Sequence, residues 1–197
     1  MRNRYVGELA TDVYKVAVNE AKTAHIALTG DEAAADGAVM AATAGVTTSA
    51  GKTVTADLTN PPYPRNLIVT PAGTTTDVKA GNVTVTGTNM KDEVITEAFA
   101  FLENASTATT GDKAFKTVTS VHIPQQDGTG CTFAVTFGSK LGLPFELDKK
   151  TCIMALHNGA IETTAPTMAI DDDEVEKNTI TLNTTLDGEE VDIYLLL

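Results

Sequence analysis

The chain holds three histidines, His25, His122 and His157, and four serines, Ser49, Ser106, Ser120 and Ser139, from which a nucleophile and its base would be drawn. Acyl transfer needs a nucleophile beside a base that takes its proton. None of the serines stands in a Gly-x-Ser-x-Gly turn, and no histidine lies in a recognisable catalytic motif. His122 alternates with Val121 and Ile123, so a strand turns it towards its polar side. No catalytic residue is expected, and the chain reads as a non-enzyme.

Metals and cofactors find little more to bind. No Cys-x-x-Cys or His-x-x-x-His spacing occurs, which argues against zinc. Asp171-Asp172-Asp173-Glu174 offers hard oxygen ligands suited to calcium. It lacks the glycine and spaced glutamate of an EF-hand loop, so a solvated acidic turn is the preferred reading. Gly51-Lys52-Thr53 ends like a phosphate-binding loop, but Val46 stands where the upstream glycine belongs and strand alternation follows where a helix should begin. Cys131 and Cys152 suit two small buried hydrophobes better than a disulfide. Glu93 and Glu97 read as solvated outward charges that discourage edge-to-edge association. No metal-binding or cofactor-binding residue, and no cofactor, is expected.

Charge limits the partners. Against 14 Lys and Arg stand 26 Asp and Glu, giving a formal net charge of −12 and an isoelectric point near 4.5. Such a surface repels phosphate backbones and anionic bilayers, so neither nucleic acid nor a membrane is expected as a partner. No apolar run approaches the roughly 20 residues of a spanning helix. Met1-Arg2-Asn3-Arg4 leads into mixed polar sequence, so no signal peptide is expected.

The elements that would position any site are strands. Threonine makes up about one residue in six, and its branched Cβ suits a pleated surface. Residues 53–58 alternate with a period of two until Asn60-Pro61-Pro62-Tyr63-Pro64 removes ladder donors. Residues 65–70 form a strand closed by Pro71. Residues 81–89 place Val83 and Val85 on one face and threonines on the other, and 93–101 return after a loop of about four residues as a hairpin partner. Strands are also predicted over 114–123 and 131–138. Residues 140–145, interrupted by Gly142 and Pro144, suit a packed loop or an edge. Asn158-Gly159 marks a hairpin between 151–157 and 160–164, and 179–183 and 191–197 complete the set.

The first sixty residues differ. Val13, Val16 and Val18 alternate only in part, and residues 21–28 suit a short helix or a strand. Residues 31–50 are rich in Ala, Gly and Thr and bury too little area to offset their ordering entropy. The expected fold is mainly β, an antiparallel β-sandwich or barrel-like domain with an N-terminal extension. Residues 1–51 would be the arm or extension, ordered by neighbouring subunits. Residues 52–147 would form the β core, and 148–197 C-terminal strands packed on it or making a small second β unit.

Several blocks resemble a known group. Asn60-Pro61-Pro62-Tyr63-Pro64-Arg65-Asn66-Leu67-Ile68-Val69-Thr70 resembles the Asn-Pro-x-x-Pro-Arg-Asn approach to a strand in a group of phage and prophage proteins. Val83-Thr84-Val85-Thr86-Gly87-Thr88-Asn89 with Glu93-Val94-Ile95-Thr96-Glu97 is similar to their central hairpin. Residues 113–121, 140–144 and 186–193 also look like theirs. The resemblance covers about residues 60–145 together with that closing block, and implies a tailed-phage virion structural protein of the head-decoration or head-fibre type. It implies a protein that binds and stabilises the assembled head, with the major capsid protein and neighbouring copies of itself as partners. A homo-oligomer in the virion, assembled in the host cytoplasm, is the corresponding expectation. The alternative is a tail or fibre component that recognises a host surface, although sugar binding usually rests on aromatic platforms. Only Tyr5, Tyr14, Tyr63, Tyr194 and six phenylalanines are available for one.

Overall fold

The computed structural model describes residues 22–28 and 38–197. Val13, Val16 and Val18 lie outside the described residues, as do positions 29–37. The chain is mainly β and its sheets are antiparallel, as the alternation predicts.

The hairpin around Asn89 forms the centre of the first sheet. β5 (Gly81–Thr88) and β6 (Val94–Phe101) pair from Gly81↔Phe101 to Thr88↔Val94. β8 (Thr117–Ile123) flanks β5 and β3 (Lys52–Val54) flanks β8, in the order β3-β8-β5-β6. The inner face of this sheet carries Val83, Val85, Phe99, Val121 and Ile123, all fully buried.

The second sheet is built on β9 (Cys131–Gly142). β4 (Arg65–Gly73) lines one side of it, from Arg65↔Leu141 to Gly73↔Cys131. β2 (Ala38–Ala44) and then β13 (Thr179–Thr181) share the other side. β7 (Thr109–Thr110) and β12 (Thr167–Ala169) lie at the two edges. Pro71 lies inside β4 and does not close it. It sits beyond the two residues that β7 covers, where an edge asks for no donor.

A third sheet has the order β1-β14-β10-β11. It consists of β1 (Thr23–Leu28), β14 (Val191–Leu196), β10 (Cys152–His157) and β11 (Ala160–Ile161). Asn158 and Gly159 join the last two with φ of 49° and 71°. Two positive φ values are what a two-residue hairpin turn matching strand twist requires.

Two cores result. Leu67, Val69, Phe133, Val135 and Phe137 face the first sheet in one of them. Leu141, Leu143, Leu147, Ile180 and Ile193 build the other beneath the third sheet. Each such side chain contributes about 1.5–3 kcal/mol when fully buried. β9 supplies both cores, its first half one and its far end the other. Residues 140–142, expected in a packed loop or edge, are therefore the end of a paired strand.

The segment assigned to the extension also enters the cores. β1 pairs with β14 along its whole length, and Leu28 is buried in the second core. β2 lies on β9 with Val39 and Met40 buried in the first. A strand of small residues sits flush on its neighbour, so two larger side chains are enough to anchor it.

Candidate functional site

The residues of the Asn-Pro-x-x-Pro-Arg-Asn block lie where the two cores meet. Prolines hold the approach to β4 extended and leave its carbonyls free to accept. Asn60 Oδ1 accepts from the Val118 amide at 2.8 Å, and the Pro64 carbonyl accepts from the Gly142 amide at 2.8 Å. Tyr63 donates to the Gly142 carbonyl at 2.8 Å. Arg65 exchanges both backbone hydrogen bonds with Phe115, and its guanidinium lies 5.1 Å from the centre of the Phe137 ring. Asn66, buried, donates to the Gly111 carbonyl and accepts from the Lys140 amide. The backbone groups, the Tyr63 hydroxyl and the side-chain amides named here are hydrogen-bonded within the fold.

A second polar cluster ties the hairpin tip to the C-terminal strands. Lys113 Nζ lies 2.8 Å from Glu174 and 3.1 Å from Glu176, and Glu176 also accepts from Asn89. Burial works against ionising Glu176. Hydrogen bonds from a backbone amide, Asn89 and Lys113 outweigh it and hold the carboxyl below its usual range. Burial likewise works against charging Lys113, but its two glutamate partners raise it overall.

The acidic turn belongs to the same cluster. Asp171 Oδ1 accepts from the amides of Asp173 and Glu174, which hold its carboxyl low, and Lys177 pairs with both Asp171 and Glu174. Among the described residues, no group of three or more His, Cys, Asp or Glu is arranged to hold a metal ion. Gly51 closes a turn onto the Thr48 carbonyl and leads into β3, with no helix behind it.

The histidines are not brought together. His25 lies 2.6 Å from Asp192 and stacks on Tyr194, with ring centres 4.4 Å apart. His122 faces the polar side of β8, as predicted, 3.0 Å from the Thr53 hydroxyl. His157, nearly buried on the opposite face of the third sheet from His25, lies 3.0 Å from Asp187. Cys131 and Cys152 are free thiols, and burial raises both, which suppresses the reactive thiolate.

Glu97 departs from the sequence expectation. It points to the inner side of β6 between Ile95 and Phe99, and Oε1 accepts from the amides of Asp112 at 2.6 Å and Lys113 at 3.3 Å. Burial pushes this carboxyl up, partly opposed by those amides. The one trace of it in the sequence is Gly111, whose missing Cβ leaves room for the carboxylate.

An open cavity of about 400 Å³ lies along residues 100–109. Its one ionisable wall residue, Glu103, already accepts from the Ala80 amide. The larger open surfaces are sheet faces. The outer face of the first sheet shows Thr84, Thr86, Thr88, Thr96, Ala98, Thr117, Ser120 and His122, with neither carboxylate nor amine. The hydroxyls of Thr88 and Thr117 meet at 2.7 Å across it. The sequence showed the threonine side of this hairpin, but its chain-wide acidity gave no sign that whole faces escape charge.

The fold thus defines a β-sandwich-like or barrel-like module. Comparison with models of protein families, with curated proteins and with solved structures finds no match to this chain.

Proposed function

We propose that this chain is a non-enzymatic structural protein of a tailed-phage virion, a decoration protein that binds and stabilises the assembled head. The observation that carries the proposal is how the residues of the phage-like blocks are used. Asn60, Pro64, Arg65 and Asn66 close internal contacts at the junction of the two cores, and the hairpin of the second block presents an outer face of threonines and alanine with neither carboxylate nor amine. Residues engaged this way support a rigid module whose sheet faces do the binding. The major capsid protein and sister copies are the partners, and the virion, assembled in the host cytoplasm, is its place.

The test is co-sedimentation of the purified chain with undecorated heads of the phage that carries its gene. Saturable binding at a fixed number of copies per head is the expected result. Free chain at every ratio would overturn the proposal.

A further inference from the structure

We infer that the outer face of the third sheet is a self-association surface, on which a second copy of this chain packs face to face. This goes beyond the virion proposal and holds whether or not that proposal does.

Register fixes which side chains share the face. His25 pairs with Tyr194, Thr23 with Leu196 and Met154 with Tyr194, while Leu156 lies opposite both Asp192 and Ile161. Ile153 stands in the bulge between Cys152 and Met154. The opposite side of the same strands carries Val191, Ile193 and Leu195, which are buried in the second core. Ile161 is 62% exposed, Ile153 58% and Leu196 41%. Tyrosine and methionine enriched together with aliphatic residues, and charge nearly absent, is the composition of an interface centre. Within the paired strands Asp192 is the acid on this face, and His25 already partners it at 2.6 Å, while Glu190 stands just beyond the end of β14.

Charge selects the occupant. A basic partner would be drawn to the chain's 26 acidic residues and would need no face cleared of them. A second copy carries the same −12 and is repelled everywhere except where acids are missing or paired. Strand spacings of about 4.8 Å and about 3.4 Å per residue give a face of three six-residue strands and one two-residue strand about 330 Å² in each copy, so a pair buries about 650 Å². That is below the standard size of a specific interface and fits weak, reversible pairing. A two-fold arrangement makes the contact self-complementary.

Sedimentation equilibrium of the full chain at about 1–100 µM tests this, in about 50 mM and about 500 mM NaCl. The expected result is a monomer–dimer equilibrium that shifts at least threefold towards dimer in high salt, because salt screens the repulsion and strengthens apolar contact. Ile161→Lys is expected to weaken the dimer at least tenfold with an unchanged circular dichroism spectrum. Thr76→Lys, in the exposed turn after β4, should leave it intact. A monomer under all conditions would overturn the inference. So would a dimer untouched by Ile161→Lys, one abolished by Thr76→Lys, or one that dissociates in high salt.

Discussion

The side-chain amide of Asn89 lies 3.2 Å from Oε2 of Glu176, joining the tip of the first hairpin to a 3-10 turn in the C-terminal strands. The same side chain accepts from the amides of Lys91 and Glu93 and donates to the Glu93 carboxylate. One buried residue therefore shapes the hairpin loop and docks it on the 3-10 turn of the C-terminal region. Asn89→Ala is expected to cost about 2–3 kcal/mol, since it orphans several buried partners at once. Urea unfolding should show a lower midpoint at an unchanged slope. A loss below about 0.5 kcal/mol would mean that the loop is held by its backbone alone.

Lys113 Nζ lies 3.1 Å from Glu176, which is only 7% exposed. Lys113→Met should cost about 2–3 kcal/mol at neutral pH, because it strands that carboxylate. The effect depends on pH in a fixed direction. Glu176 has its folded value below its unfolded one, so its contribution is present above the unfolded value and is lost as pH falls through the folded value. The gap between wild type and Lys113→Met should close on acidification. A gap constant with pH would contradict the pairing.

Glu97 behaves in the opposite sense. Its folded value lies above its unfolded one, so its contribution is present below the unfolded value and is lost as pH rises through the folded value. Glu97→Gln keeps the acceptor for the Asp112 and Lys113 amides and removes the charge. The variant is expected to gain on wild type as pH rises from about 4 to about 7, read from melting temperatures across that range. Parallel curves would show that the carboxylate is solvated after all.

Gly87 lies at the register shift between β5 and β8, and a Cβ there would overlap the Thr117 carbonyl and press on the Phe115 ring. Gly87→Ala is expected to destabilise by about 2–3 kcal/mol. Thr84→Ala, on the solvent side of the same strand, should change stability by less than about 0.5 kcal/mol. Equal effects would show that the close approach does not matter.

Much of this architecture was legible where local chemistry dominates. The alternation of Val83 and Val85 with threonines gave the central hairpin, and Asn158-Gly159 gave a two-residue turn. Legibility failed where distant residues decide. β2 reads as a small-residue arm until β9, nearly a hundred positions later, supplies its partner and covers Val39 and Met40. Glu97 reads as an outward charge until the backbone at Asp112 and Lys113 closes over it. Pro71 ends a strand by local rules, yet β4 continues because its edge is open there. The sparsely charged outer faces escaped notice for a related reason, since net charge averages over the chain and register does not.

The central claim is that this β module binds the outside of an assembled phage head. Cryo-electron microscopy of virions with and without the chain tests it most directly. The account expects density that fits the three-sheet fold at repeated positions on the head surface and is missing from virions that lack the chain. Density confined to the tail, or identical heads with and without the chain, would contradict it.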